Sequence, residues 1–379
     1  MASSKVGDLV LLYPSSTSRR HKFFRLSIVF GSGECSELGL GSREKEKPRV
    51  FVNPFLSGSE GSAFRVIQLD CGGMHTVALT SDNEIVTWDV STAAPDDEDE
   101  LLNLIKSTLT RVLDDAFSPG TIFVQVAAGD SCGFALTDTG LVYGWGTFLG
   151  KPRFLYYDEK LTEVLYQPSL IPGLGNITGL ACGANHAIAL GQAGNVRAWE
   201  RLQPHQVNLR RDKAKYIASG LDHSFAVNQR DNVWAGGDNT CLPCPMKIPG
   251  LSGKGVATLS GGADHSVAVT AGGQCFVWRH IDGGQLGVGL LRIYLRPILV
   301  PNISTVAYVG CGTGHTIFID DEGKAYRSGF GSMGQLGIAS EDDATVADKI
   351  TGAAAKGKKL VCCGAGGQFS MVASPIEVP

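Results

Sequence analysis

Short apolar segments alternate with turn-forming residues along the chain. In one well-marked stretch, Val66-Ile-Gln-Leu69 leads into a glycine turn, and Thr76-Val-Ala-Leu-Thr80 follows it. Ser81-Asp-Asn83 then separates this second segment from Ile85-Val-Thr-Trp88. Because β-branched and aromatic residues bounded by turn formers are typical of hairpins, the pattern predicts three successive antiparallel strands. A fourth, poorly marked strand is expected before the pattern begins again.

This stretch is one copy of a repeat in which a small residue and Gly-x-x-His precede an apolar strand. Five copies end their motif with a histidine: His75, His186, His223, His265 and His315. Two more copies, Ala128-Gly-Asp-Ser-Cys132 and Cys363-Gly-Ala-Gly-Gly367, lack the histidine. From Gly72 to Gly364 the anchor glycines recur about every 49 residues, a spacing typical of propeller repeats.

Tryptophans provide a second marker with the same phase. Four of them lie 13 residues after the last residue of their motif: Trp88, Trp145, Trp199 and Trp278. Trp234 lies 11 residues after His223, at the position that Tyr143 and Tyr326 occupy in their own copies. Two markers that share one phase indicate a structural repeat.

Each end of the chain carries half a copy. Residues 27–41 resemble the second half of a copy, and residues 361–373 resemble a first half. Pairing these halves completes one blade and removes open sheet edges. We therefore predict an all-β fold, a seven-bladed β-propeller of four-stranded blades closed by pairing the N- and C-terminal segments. The propeller covers residues 25–374, with tails at 1–24 and 375–379 and an acidic loop insertion at about 89–120.

Composition agrees with this fold and narrows the function. The 379 residues include 49 glycines, and 18% are charged, as expected for many short strands joined by tight turns. The formal net charge of −4 does not favour nucleic acid as a partner. Neither a signal peptide nor a membrane-spanning run is evident, so we expect a soluble, intracellular protein with free thiols. Cys241-Leu-Pro-Cys244 has no second pair, so no metal site is predicted.

Further motifs follow the Gly-x-x-His unit, namely Asp-x-Gly, a Tyr-x-Trp-Gly strand and Gln-Leu-Gly. Clear examples are Leu136-Thr-Asp-Thr-Gly-Leu-Val-Tyr-Gly-Trp-Gly146 and Met333-Gly-Gln-Leu-Gly337. With this motif set the chain resembles the regulator of chromosome condensation family over nearly its whole length. Two more specific segments resemble the Ran guanine-nucleotide exchange factors of that family, in particular the fungal branch. They are residues 31–41, and residues 127–131 taken together with 142–148.

The resemblance implies a protein that binds the small GTPase Ran on one propeller face and displaces guanine nucleotide and Mg²⁺ from it. Stabilising nucleotide-free Ran accelerates both GDP release and GTP loading. No covalent chemistry and no cofactor are expected, because the nucleotide and the metal belong to the GTPase and this chain has no P-loop motif of its own. The resemblance further implies a nuclear monomer, with the cytoplasm as an alternative location. The resemblance gives only weak support for binding to histones and chromatin, because family members bind chromatin partly through a basic tail and the N-terminal tail of this chain is not strongly basic.

The same resemblance points to candidate contact residues. Asp130 matches the acidic residue that such factors use in exchange, and a carboxylate can compete for the basic groups that hold nucleotide phosphates. Three more candidates for contact with the GTPase are His315, Asn185 and His75, and Asn185 stands where such factors tend to have an aspartate. The wedge loop that such factors push against the GTPase matches Thr147, Phe148, Lys151, Arg153, Phe154, Tyr156 and Tyr157.

Each of these assignments has a structural alternative. Asp130 is also a good turn former, the histidines can stabilise turns, and residues 147–157 can be an ordinary inter-strand loop. The copy that starts at Cys182 is short, because the next anchor glycine follows Gly183 after 37 residues. Together with Asn185 and the altered wedge loop, this favours a second hypothesis. In it the protein is a propeller adaptor that binds another protein without exchange activity.

Overall fold

A computed structural model describes residues 24–33, 38–40, 46–53, 65–88, 110–112, 117–148, 163–199, 204–210, 212–237, 242–279, 283–289, 292–338 and 340–375. Within these ranges the chain forms 28 β-strands and no α-helix. No helix with the length and apolarity needed to cross a bilayer occurs in the described part. The seven cysteines whose side chains are described all carry free thiols.

The strands form seven four-stranded antiparallel blades, numbered here by their innermost strands. The first two strands along the chain, β1 (Phe24–Ser32) and β2 (Glu46–Val52), belong to blade 7. Blade 1 consists of β3 (Val66–Cys71), β4 (Thr76–Thr80), β5 (Ile85–Trp88) and β6 (Thr110–Arg111). Blade 2 consists of β7 (Phe123–Ala128), β8 (Cys132–Thr137), β9 (Val142–Phe148) and β10 (Glu163–Leu170). Blade 3 consists of β11 (Ile177–Cys182), β12 (Ala187–Gly191), β13 (Val196–Trp199) and β14 (His205–Val207).

The remaining blades follow the same order from the innermost strand outward. Blade 4 consists of β15 (Ala214–Ser219), β16 (His223–Asn228), β17 (Val233–Gly237) and β18 (Leu242–Lys247). Blade 5 consists of β19 (Val256–Gly261), β20 (His265–Thr270), β21 (Cys275–Arg279) and β22 (Tyr294–Leu299). Blade 6 consists of β23 (Val306–Cys311), β24 (His315–Asp320), β25 (Ala325–Gly329) and β26 (Ala344–Lys349). Blade 7 begins with β27 (Cys362–Ala365) and β28 (Phe369–Pro375).

Blade 7 closes the ring as predicted. Strand β28 pairs with β27 on one side and with β1 on the other, and β1 also pairs with β2. Val29 lies opposite Met371 in the central pair, and both residues are fully buried. The innermost strands of all seven blades surround a central cavity of about 180 Å³. The fold is therefore the expected seven-bladed propeller with its two terminal segments in one blade.

The tryptophan phase is confirmed and has a packing role. Each tryptophan of the series lies on the third strand of its blade, opposite the residue that follows the histidine position. Trp199 of blade 3 contacts Phe134 of blade 2 edge-on, with ring centroids 5.6 Å apart. Trp278 of blade 5 contacts Phe225 of blade 4 in the same way, at 6.0 Å. The phase shared by these copies thus fills the space between neighbouring blades with large apolar rings.

The predicted register of the seventh copy is wrong by two residues. In every copy the amide of the anchor glycine donates to the carbonyl of the histidine position, as Gly72 does to His75. In blade 7 this bond joins Gly366 to Phe369, at 3.0 Å. Gly366 is therefore the anchor instead of Gly364, and Phe369 takes the histidine position. The run of glycines at 364–367 offers two registers, and the apolar ring at position 369 selects the second by its burial.

Blade 3 is complete although its copy is short, because β14 needs only three residues to form a fourth strand. In blade 1 the fourth strand is β6, which lies inside the predicted insertion at 89–120. Most of that insertion lies outside the described residues, as do residues 1–23 and 376–379 of the predicted tails. Cys241 also lies outside them.

Candidate functional site

Seven turns meet at one face of the propeller, each formed by the two residues between an anchor glycine and the histidine position. We call them the inner turns. At six of the seven blade junctions, an inner-turn amide donates a hydrogen bond of 2.8 to 3.2 Å to the backbone of the next inner turn or its anchor glycine. Asp130 donates to Ala184 in this way, and Gly367 of blade 7 donates to Gly73 of blade 1. The junction between blades 1 and 2 is different, because there the side chain of Asp130 lies against Gly73.

Asp130 occupies a position in its turn that no other acidic residue shares. It is the first of the two turn residues, whereas Asp222 and Asp264 are the second residue of theirs. The first position elsewhere holds glycine, alanine, leucine or threonine. Asp130 is therefore not the blade 2 version of an acidic residue common to the repeat. This difference weakens its interpretation as an ordinary turn former.

The environment of Asp130 is unfavourable for its charge. Burial raises the pKa of the Asp130 carboxyl, and the negative charge of Asp222 adds to the rise. The backbone amide of Gly73 and the imidazole of His75 act in the opposite direction. One carboxylate oxygen, Oδ1, is buried and has no hydrogen-bond partner among the described residues. A buried acceptor without a donor costs about 1–3 kcal/mol, so this carboxyl gains from any cationic group that reaches it.

The segment predicted to form the wedge loop begins beside Asp130. Strand β9 runs antiparallel to β8, so that Gly146 pairs with Cys132 just after the Asp130 turn. Gly146 has a φ of 93°, and a Cβ there would lie 2.4 Å from the Ser131 carbonyl oxygen. Only glycine permits this approach. The chain after β9 therefore leaves the blade at the face that carries the inner turns.

The wedge residues themselves are only partly described. Thr147 and Phe148 are the last residues of β9, and their backbones pair with Val164 and Glu163. The other predicted wedge residues, Lys151, Arg153, Phe154, Tyr156 and Tyr157, lie outside the described residues. The wedge assignment therefore stays a prediction.

Asn185 lies next to this site. It is the second residue of the blade 3 inner turn, it is exposed, and its neighbour Ala184 accepts the backbone bond from Asp130. The structure thus brings Asp130, Asn185 and the start of the predicted wedge loop together on two adjacent blades. An exposed amide at this position can donate or accept hydrogen bonds but carries no charge.

The repeat histidines contact the next blade instead of the surface. Four Nε2 atoms lie within hydrogen-bond distance of a hydroxyl, in the pairs His186–Ser224, His223–Ser266, His265–Thr316 and His315–Ser370 at 2.6 to 2.9 Å. His315 has no exposed surface, and His75 is only 2% exposed. Neither imidazole is accessible to a partner in this structure. Both can affect contact with a partner only by stabilising the inner turns.

The hydroxyl partners were not predicted, although the sequence carries a signal for them. A serine or threonine follows the histidine position in five of the seven copies. Four of these hydroxyls contact the histidine of the preceding blade, whereas Thr76 follows blade 7, which has Phe369 at that position. The two residues of a pair are 38 to 55 positions apart, so the pairing cannot be recognised within one copy.

Blade 2 lacks this link on both sides. It has Cys132 at the histidine position, and Gly133 where five other blades have a hydroxyl, because the ring of Trp145 occupies that space. Two glutamine side chains join the inner strands here instead. Gln68 exchanges two hydrogen bonds with the backbone of Val126, at 3.0 and 2.9 Å. Gln125 does the same with Leu180, at 2.7 and 2.9 Å.

An acidic side chain reinforces the junction between blades 1 and 2. Asp70, next to the central cavity, accepts a hydrogen bond of 2.8 Å from the amide of Ala128. Burial raises the pKa of Asp70 to about 7, although hydrogen bonds from Ala128 and Cys71 lower it. Blade 2, which carries Asp130, is therefore attached to its neighbours by a different set of contacts from the rest of the ring.

Comparison with known proteins identifies relatives that are similar to this chain over most of its length. Protein pim1 of Schizosaccharomyces pombe is 29% identical over 92% of this chain and 74% of its own length. Guanine nucleotide exchange factor SRM1 of Saccharomyces cerevisiae is 28% identical over 90% of this chain and 86% of its own. The crystal structure of Prp20p from Saccharomyces cerevisiae matches with a TM-score of 0.82 and 27% identity, covering 94% of this chain and 93% of that one. Prp20p was described with its binding properties to Gsp1p and histones. Residues 27–372 match the RCC1-like domain, and the chain belongs to this family.

Proposed function

We propose that this protein is a guanine-nucleotide exchange factor for the small GTPase Ran. The observation that carries the proposal is the position of Asp130, a partly buried carboxylate beside the start of the wedge loop. It is supported by SRM1, a relative named as a guanine nucleotide exchange factor, whose match covers most of both chains. The proposal includes a nuclear location, and histones as a second partner in line with Prp20p.

The exchange factor acts by binding alone. A carboxylate that has lost water and lacks a full set of donors competes well for lysine or arginine groups that hold nucleotide phosphates. A wedge inserted next to it stabilises the nucleotide-free GTPase relative to the nucleotide-bound state. No bond is broken, and the equilibrium between GDP and GTP is unchanged because both directions are accelerated equally. The protein needs no cofactor, since the nucleotide and Mg²⁺ belong to the GTPase.

Release of fluorescent GDP from purified Ran tests this proposal. The protein is expected to accelerate release, and Asp130→Ala is expected to lower the rate roughly 10- to 100-fold, the equivalent of one charge-assisted hydrogen bond. Asp264→Ala is the matched control, because it removes an exposed carboxylate from the second position of a turn in blade 5. Unchanged GDP release in the presence of excess wild-type protein rejects the proposal.

The adaptor hypothesis is the second candidate, and Asn185 is the observation that favours it. The substitution of an amide for the expected aspartate removes one negative charge from the face beside Asp130. Affinity capture with nucleotide-free Ran as competitor separates the two functions. Partners that stay bound when Ran is added in excess, together with inactive GDP release, would establish the adaptor.

A further inference from the structure

Gly73 lies directly beneath the carboxyl group of Asp130. A Cβ built on Gly73 would be 2.1 Å from Oδ1, 2.5 Å from Cγ and 3.1 Å from Oδ2 of Asp130. These three carboxyl atoms are its nearest neighbours. Real Cβ atoms do not approach other heavy atoms this closely, so any side chain at position 73 must displace the carboxyl group.

The backbone at Gly73 does not itself require glycine. Its φ is outside the left-handed region, unlike that of Gly146 in the neighbouring strand. An alanine at position 73 is therefore compatible with the local backbone. What excludes it is the carboxyl group contributed by the next blade.

The turn that contains Gly73 is held on both sides. Its carbonyl oxygen accepts a hydrogen bond of 3.1 Å from Gly367 of blade 7. Two residues further on, Nδ1 of His75 lies 3.4 Å from the carbonyl oxygen of Asp130. Blade 1 thus contacts both the side chain and the backbone of Asp130. The hydrogen bond from Gly367 restrains the blade 1 turn, so the turn cannot easily move away from Asp130.

We propose that Gly73 is a positioning residue, through which blade 1 fixes the carboxyl group of Asp130 for contact with the GTPase. The inference rests on the proposed exchange function. Gly73 itself touches neither the GTPase nor the nucleotide in this scheme, and it acts only through Asp130. The space left by its missing side chain is the feature that sets the position of the carboxyl group.

The substitution Gly73→Ala tests the proposal in the full chain. It is expected to lower the maximal rate of GDP release from Ran roughly 10- to 100-fold, because displacement of a functional group by about 1 Å has effects of that size. The concentration of Ran at half-maximal rate is expected to change less, since the rest of the face is intact. Gly175→Ala is the control, because no atom lies within 4 Å of a Cβ at that exposed position.

A double-mutant cycle in thermal unfolding gives a readout that does not depend on exchange. Gly73→Ala is expected to lower the melting temperature in the wild-type background and to have little effect in the Asp130→Ala background, because the colliding group is gone. Equal shifts in both backgrounds would overturn the proposal, and so would full exchange activity of Gly73→Ala. If the wild-type protein fails to release GDP, the exchange function is rejected, and the inference fails with it even where the cycle shows coupling.

Discussion

Burial keeps the central histidines of the repeat neutral. It lowers the pKa of His223 and His265 to about 3 and that of His315 to about 4, from an ordinary value of 6.5. For His223 the positive charge of Arg279 adds to this effect. In the unfolded chain these imidazoles bind a proton near pH 6.5, whereas in the folded protein they do not. Their contribution to stability is therefore complete above pH 6.5 and is lost as the pH falls toward 4.

We predict that acidification destabilises the protein through these residues. Each histidine is expected to lower the free energy of unfolding by about 1–2 kcal/mol between pH 7 and pH 5. Asp70 acts in the opposite direction, because its raised pKa of about 7 lets the folded state bind a proton first. Burial also raises the pKa of Asp130, but three histidines outweigh two carboxyls, so the net effect is a loss. Urea denaturation at pH 7 and pH 5 measures it.

His265→Gln serves as the control for this prediction. It removes one titrating imidazole, so its free energy of unfolding should fall less between pH 7 and pH 5 than that of the wild type. An equal pH dependence in both proteins would contradict the assignment of a buried neutral imidazole to His265.

The blade junctions differ in how they are joined. Four of them use a histidine and a hydroxyl, and the two junctions on either side of blade 2 use glutamine side chains on the inner strands. At the junction between blades 7 and 1 the apolar ring of Phe369 replaces the histidine. A side chain that spans two blades couples their stabilities, so each junction is an independent target for substitution.

We predict that two serines at equivalent positions contribute unequally. Ser266→Ala leaves Nε2 of the buried His223 without the one hydroxyl that contacts it among the described residues, and should cost about 1–3 kcal/mol. Ser224→Ala should cost less, because Ser219 Oγ lies 3.0 Å from the same Nε2 of His186 and can replace the lost hydroxyl. Denaturant unfolding of both variants provides the comparison. A larger loss for Ser224→Ala would refute this ranking.

On the scale of the whole molecule, the ring depends on blade 7. Its β1 and β28 strands are paired along seven residue positions, and the core beside them includes Val29, Phe369 and Met371. An opened propeller exposes the edges of two strands and part of this core. Exposed edges of this kind promote association between chains.

We predict that the N-terminal strands are required for a stable monomer. A chain without residues 1–52 lacks β1 and β2, and it should aggregate or lose its cooperative thermal transition. A chain without residues 1–22 keeps every described strand and should melt as the full chain does. Circular dichroism and size-exclusion chromatography distinguish these outcomes. Cooperative melting and monomeric elution of the shorter chain would show that closure is dispensable.

The features that the sequence predicted are those repeated within each copy. The tryptophan phase, the Gly-x-x-His turn and the half copies at the ends recur at fixed spacing, so one sequence contains several observations of each. The register of blade 7 failed because Gly364 and Gly366 are equivalent candidates until the burial of Phe369 decides between them.

The contacts between blades were not predictable. The approach of Gly73 to Asp130 and the exchange of hydrogen bonds between Gln68 and Val126 join residues more than 50 positions apart. They depend on the angle between neighbouring blades, which no local pattern encodes. For the same reason Asp130 could be identified as a candidate from its motif, whereas the residue that fixes its side chain could not.

Blade 7 also has a consequence for biosynthesis. Strand β1 leaves the ribosome before the other described strands, but its partner β28 is translated after the other six blades. At about 5–20 residues per second, one edge of β1 waits roughly 20 to 70 s for that partner. During this interval the nascent chain is an unclosed propeller with unpaired strand edges, which promote association with other chains. Messages truncated anywhere before codon 369 should therefore yield products that chaperones retain and proteases remove, however many complete blades they encode.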